Sequence, residues 1–293
     1  MPTSTFSPSL KQLIALNGHP PILSAAKCFH LKAFLTQLDQ TAVSRNLKPS
    51  TWMVLTSAAL VSLNCPSAFH PFWHSIRSRL SPEAGHSPDD LRAAASLVRE
   101  ASLKTISFIG VAKAINALGE FHKVLSHLDP DILPKLPPAR RHPPLPNIVD
   151  ERGRAIWKSV YRPLDKKLFE KLGTFHPDLP IHILNSHYGA LLADPEPGGP
   201  IGRIGTSLVA VATLRASGGL EPQLLSHVYG LKKAGEEVRV GDLDGAAEVG
   251  EGVGWLTSDE GAKWVLRSVD KLTELVGAGQ LDAAGKKDPQ LKL

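Results

Sequence analysis

Apolar residues along this chain recur mostly at three- and four-residue steps, and alternating Val/Ile/Thr runs are nearly absent. That period belongs to helices, so the pattern predicts an all-α fold. The clearest start is Ser87-Pro88-Asp89-Asp90, where a serine N-cap, a proline and two acids suit the bare N–H groups and positive end of a first turn. From there Leu97, Ala101, Phe108, Ala112 and Ile115 trace one face towards Leu125. One long helix is therefore expected over Arg92 to Leu125, with Gly110 as a break or a close helix contact. Thr51 to Leu63 and Ser207 to Arg215 are apolar on nearly every side, the pattern of helices surrounded by other helices. The first ends at Asn64-Cys65-Pro66 and the second at Ser217-Gly218-Gly219.

Residues 129–150 are dense in proline, which favours an extended linker over helix. This places a first module over 1–128, a linker over 129–150, a second module over 151–280 and a flexible tail over 281–293. The second module reads as a copy of the first. Each has an apolar helix, then a His-containing helix (Ala68 to Leu80, Glu221 to Ala234), then an acidic start (Asp89-Asp90; Asp242 and Asp244). A long closing helix follows in each, Arg92 to Leu125 and Ala246 to Val276. Corresponding points lie roughly 155 residues apart, as a tandem repeat requires.

Composition narrows the class. The chain has 293 residues, 42% apolar and 21% charged, ordinary values for a folded globular protein. No run approaches the roughly 20 apolar residues of a membrane helix, and MPTSTFSPSLKQ lacks the plan of a signal peptide, so a soluble intracellular protein is expected. Most of the net charge of +5 is local, in Lys135, Arg140 and Arg141 of the proline-rich stretch and in Lys286 and Lys287 near the end, too diffuse for the clustered face of a nucleic-acid footprint. Cys28 and Cys65 form no CxxC pair and have no zinc-like spacing, which points to a reducing compartment.

A family resemblance rests on Phe175-His176-Pro177-Asp178-Leu179, His187-Tyr188-Gly189, Thr206-Ser207-Leu208-Val209 and Gln223-Leu224-Leu225-Ser226-His227-Val228-Tyr229-Gly230-Leu231 with Ala234-Gly235. In order and spacing these resemble the carboxymuconolactone decarboxylase family, whose relatives include the AhpD-type alkylhydroperoxidases. The match covers most of residues 160–276. Residues 50–125 resemble the same module more weakly, chiefly through Lys104 to Leu118. The resemblance implies an all-α fold, a homo-oligomer and one of two chemistries. The peroxidase branch places a CxxC pair before a histidine, but Gln223 and Leu220 stand four and seven places before His227, and Cys65 has Ala68 where a partner would be. Redox cycling through CxxC is thereby excluded. The decarboxylase branch needs no cysteine, and His227 falls on that family's histidine. Arg203 lies near the family's arginine-rich helix start, with Gly205-Thr206 replacing its second arginine.

The leading expectation is therefore an enzyme acting on a small carboxylate, lactone or acyl metabolite, with His227 as general acid/base and Glu221 within reach of it; from the residues alone, His227 reads more simply as a histidine capping or bonding across helices and Glu221 as an ordinary first-turn acid. Arg203 and Gln223 would bind substrate. The alternatives are a non-catalytic helical scaffold or binding protein, and a peroxide reductase resting on Cys65 alone, which is equally read as a small buried residue. His70 and His74, with Phe69, Phe72 and Trp73, form either an aromatic-walled pocket or an aromatic core. His182 and His187, five apart, share a helical face poorly, and no metal or cofactor is expected. Ser226 and His227 point apart as adjacent helical positions do, so they form no nucleophile pair. Glu100 and Lys104 read most simply as a surface ion pair, with burial between modules as the minor alternative. The ending Leu291-Lys292-Leu293 keeps the last two residues of the peroxisomal Ser-Lys-Leu address, so an import receptor is a possible partner and the peroxisome the expected location, with the cytoplasm as the alternative.

Overall fold

The computed structural model describes residues 7–15, 20–136, 145–194, 199–241 and 243–277. Leu291, Lys292 and Leu293, with Arg140, Arg141, Asp242, Lys286 and Lys287, lie outside them. Among the described residues every regular element is a helix, so the protein is all-α. The α-helices are α1 (Pro8–Ala15), α2 (Ala25–Ser44), α3 (Ser50–Ser62), α4 (Phe69–Arg79), α5 (Pro88–Lys104), α6 (Ile106–Ile109) and α7 (Val111–Leu128). After the proline-rich stretch come α8 (Pro146–Tyr161), α9 (Asp165–Phe175) and α10 (Leu179–His182), which runs on into a π-helix over Ile183–Leu192. The rest is α11 (Arg203–Ser217), α12 (Glu221–Arg239), α13 (Gly245–Val249), α14 (Val253–Leu256) and α15 (Asp259–Val276).

The two helices that are apolar all round, α3 and α11, pack against each other at the centre, and nearly every residue of both is buried. Neither has a polar face, so each is stable only where others cover it on all sides. Helices α5, α7 and α15 cover α3, while α12 and α15 cover α11. One apolar core runs from Leu23 to Val276 and includes residues from both sides of the proline-rich stretch. At the far ends of the central pair, Ser62 donates to the Thr213 carbonyl, and Ser62 Oγ lies 2.9 Å from Ser217 Oγ, 155 positions along the chain.

Helix starts follow local chemistry. Ser87 and Asp90 form a reciprocal capping box, and Ser24, Asp244 and Ser258 each accept a backbone N–H from the first turn of α2, α13 and α15. Two expected long helices are broken. The Arg92 to Leu125 helix is interrupted at Gly110, whose φ of +78° an L side chain rarely adopts, and Ile115, placed on the inner face, is 62% exposed. The Ala246 to Val276 helix is divided into α13, α14 and α15, with breaks at Gly250 and Ser258. The expected linker is also partly structured. Leu133–Lys135 form a 3₁₀ turn, and Pro146 opens α8, where its missing N–H costs nothing.

Candidate functional site

Helix α8 lies against the π-helix and α12, so three segments distant in sequence bring their polar side chains together. The close approach of α8 and the π-helix depends on two glycines. A Cβ at Gly153 would stand 2.6 Å from the Leu184 carbonyl oxygen, and one at Gly189 only 2.1 Å from that of Val149. This seats Tyr188 beside Trp157 and Tyr161 in a second, smaller apolar cluster, which half-buried Phe108 of α6 joins to the main core.

His227 on α12 is 6% exposed. Its Nε2 lies 3.3 Å from the phenolic oxygen of Tyr161, which lies 2.7 Å from that of Tyr188. Phe108 meets the imidazole edge-on, with ring centroids 5.4 Å apart. Burial, reinforced by the Arg203 charge, pushes the His227 pKa down to about 4, so the ring is neutral at pH 7. Burial raises the pKa of both tyrosines, which keeps them protonated hydrogen-bond donors. With Nε2 as acceptor, the two phenolic protons are satisfied in one direction, Tyr188 to Tyr161 to His227.

Next to this triad lies a buried ion cluster. Arg203, the first residue of α11, donates through Nε to Ser159 Oγ at 2.6 Å, and through its terminal nitrogens to Ser207 Oγ at 2.5 Å and the Gly230 carbonyl at 2.9 Å. Glu237 stands 3.9 Å away as its counter-ion and also receives Ser159 Oγ and Arg162. Burial lowers the Arg203 pKa, but a guanidinium remains a cation at any physiological pH. At the same helix start Glu248 accepts the N–H groups of Ile204 at 3.0 Å and Gly205 at 2.5 Å, and its own pKa is raised by burial.

Lys104, expected on the surface, is fully buried, and Glu100 is 5% exposed. The Lys104 ammonium donates to Asp194 at 2.7 Å, the Leu192 carbonyl at 2.8 Å, Thr206 Oγ1 at 2.9 Å and the Ile201 carbonyl at 3.1 Å. These partners sit on the C-terminal half, so a cation from α5 ties the end of the π-helix to the start of α11. The reason is positional, because Leu97, Ala101, Lys104 and Phe108 fall on one helical stripe.

The structure brings together His227 and Arg203 but leaves the other expected site residues elsewhere. Glu221 and Gln223 lie on the exposed first turn of α12. Cys65 is fully buried beyond the end of α3, and burial raises its pKa, which disfavours the thiolate that attack on peroxide requires. His70 and His74 sit one turn apart on α4, with Phe69, Phe72 and Trp73 buried behind them, and His74 lines a separate surface cleft. The rings of His182 and His187 do meet, with centroids 5.3 Å apart, because π winding brings residues five apart onto one face. Among the described residues no group of three or more His, Cys, Asp or Glu is arranged to hold a metal, and no helix is long and apolar enough to cross a membrane. No family model, curated protein or solved structure matches the chain.

Proposed function

We propose that the protein is an enzyme of the carboxymuconolactone decarboxylase type, moving a proton on a small carboxylate, lactone or acyl metabolite with His227 as the acid/base group. The observation that carries this reading is a buried, neutral imidazole oriented by Tyr161 next to the Arg203 cation. A depressed pKa makes the resting ring a weak base. An anion arriving near Arg203 offsets that positive charge and lifts the pKa again, so the base strengthens as substrate binds. Half-buried Phe108 and Tyr161 flank the ring and are the groups a substrate displaces to reach it. The same reading carries assembly into a homo-oligomer. Leu225 and Tyr229, one turn apart on α12 and 55% and 56% exposed, support it.

The test is a thermal-shift screen of wild type and His227→Gln against small carboxylates, lactones and acyl thioesters, followed by turnover of whatever binds. Ligands of the folded state raise its melting temperature by mass action. The expected result is a ligand that stabilises wild type and is turned over only by wild type. Silence across the panel from two well-folded proteins rejects the enzyme. A second reading, a non-catalytic helical scaffold, is favoured by one observation: Arg203 already spends hydrogen bonds on Ser159, Ser207 and Gly230.

A further inference from the structure

A surface cleft of about 370 Å³ opens between α2 and α4, with α3 beneath it. It uses none of the residues around His227, and its volume falls at the small end of the range for small-molecule sites. Leu35 and Trp52 form the floor, each 1% exposed. Asp39, the acid in the cleft, is already committed. The Trp52 indole donates to its Oδ1 at 3.0 Å, and Arg79 Nε lies 2.9 Å from its Oδ2. The Lys32 ammonium and the Ser78 hydroxyl, both on exposed residues at the rim, have neither a hydrogen-bond nor an ion-pair partner among the described residues, although the Lys32 backbone carbonyl accepts the Thr36 hydroxyl. With Asp39 balanced by Arg79, the uncompensated charge is the single positive charge of Lys32.

We propose that this cleft binds a small organic monocarboxylate. The carboxylate meets the Lys32 ammonium and the Ser78 hydroxyl, and the hydrocarbon body lies over Leu35 and Trp52. One ammonium and one hydroxyl balance a single negative charge, whereas a phosphate dianion would leave charge unmatched against the apolar floor. The His74 imidazole on the α4 wall is held towards its neutral form by partial burial and by the neighbouring Lys32 and Arg77 charges. It adds a polar edge rather than a second charge.

The experiment is calorimetric titration of the full chain with hexanoate, benzoate and inorganic phosphate at constant ionic strength. Saturable binding of hexanoate or benzoate is expected, weakened tenfold or more in Lys32→Gln and a few-fold in Ser78→Ala. Both residues are exposed on helix surfaces, so both variants retain the fold. The His227→Gln variant should bind as wild type does, which separates this cleft from the proposed catalytic site. Absence of saturable carboxylate binding, tighter binding of phosphate than of either carboxylate, or an unchanged affinity in Lys32→Gln would overturn the assignment. Loss of binding in His227→Gln would overturn it too, by moving the ligand to the other site.

Discussion

The phenolic oxygen of Tyr161 lies 3.3 Å from Nε2 of His227, joining the last turn of α8 to the second turn of α12. Nε2 of the buried imidazole depends on Tyr161 for its polar contact, while the Tyr161 hydroxyl is held from its other side by Tyr188. That dependence fixes the ring's orientation and, with burial, its protonation state.

The His227 pKa falls from an ordinary 6.5 to about 4 on folding. Between those values the unfolded chain binds the extra proton, so stability is fully present above pH 6.5 and is lost as the pH falls towards 4. A shift of this size amounts to about 3 kcal/mol. In histidine-labelled protein the His227 resonances should stay those of a neutral ring down to about pH 4, with the proton on Nδ1. Titration near pH 6.5 would refute this environment.

Removing one hydroxyl from the chain leaves a buried acceptor or donor short of a partner. Tyr161→Phe should lower stability by about 1–2 kcal/mol in urea unfolding, and Tyr188→Phe by a comparable amount. The double variant should cost less than the sum, because both hydroxyls serve one network. Strict additivity would show that the phenols act independently.

Lys104→Met leaves the Asp194 carboxylate and two backbone carbonyls without the ammonium that now joins them. Truncating one partner of a buried pair is costly, so a loss of about 3 kcal/mol or more is expected. Adding Asp194→Asn should recover part of it. A loss under about 1 kcal/mol would mean the ammonium is solvated rather than buried.

Gly189→Ala puts a methyl group 2.1 Å from the Val149 carbonyl oxygen, a backbone atom that cannot swing aside. Helix α8 must then move off the π-helix and carry Trp157 and Tyr161 away from Tyr188. The melting temperature should fall sharply and the near-ultraviolet signal of the cluster should change. Gly119→Ala on α7, with open space at its Cβ, is the control and should be neutral or stabilising.

What the sequence discloses and what it hides divide along physical lines. The α3 and α11 helices are legible because an element apolar on every side has one stable environment, and the α5 start is legible because Ser87 and Asp90 satisfy each other's local backbone groups. The breaks at Gly250 and Ser258 carry local signals too, a glycine pair at Gly250 and Gly252 and a serine cap followed by Asp259 and Glu260, but the apolar period continuing across them points to one helix. The π winding of 183–192 is hidden, because no residue pattern in that segment marks it off from an α-helix. His227 and Arg203 enter as candidates only through the resemblance expected from the sequence, and the structure sets both in one buried neighbourhood. Ser159 and Tyr161 on α8, Tyr188 on the π-helix and Glu237 on α12 lie on three separate segments, and although Tyr188 stands in the His187-Tyr188-Gly189 motif, nothing local marks these residues as neighbours. Lys104 does carry a signal, a cation in the middle of an apolar stripe, but its spacing from Glu100 points first to a surface pair.

The most direct test is turnover by wild type and His227→Gln of the carboxylate, lactone or acyl compound that raises the wild-type melting temperature, with unfolding followed in parallel. A proton-transfer role for His227 predicts that turnover falls by a hundredfold or more, of the order contributed by one acid/base group, while the fold persists. Turnover in the variant at the wild-type rate would contradict it.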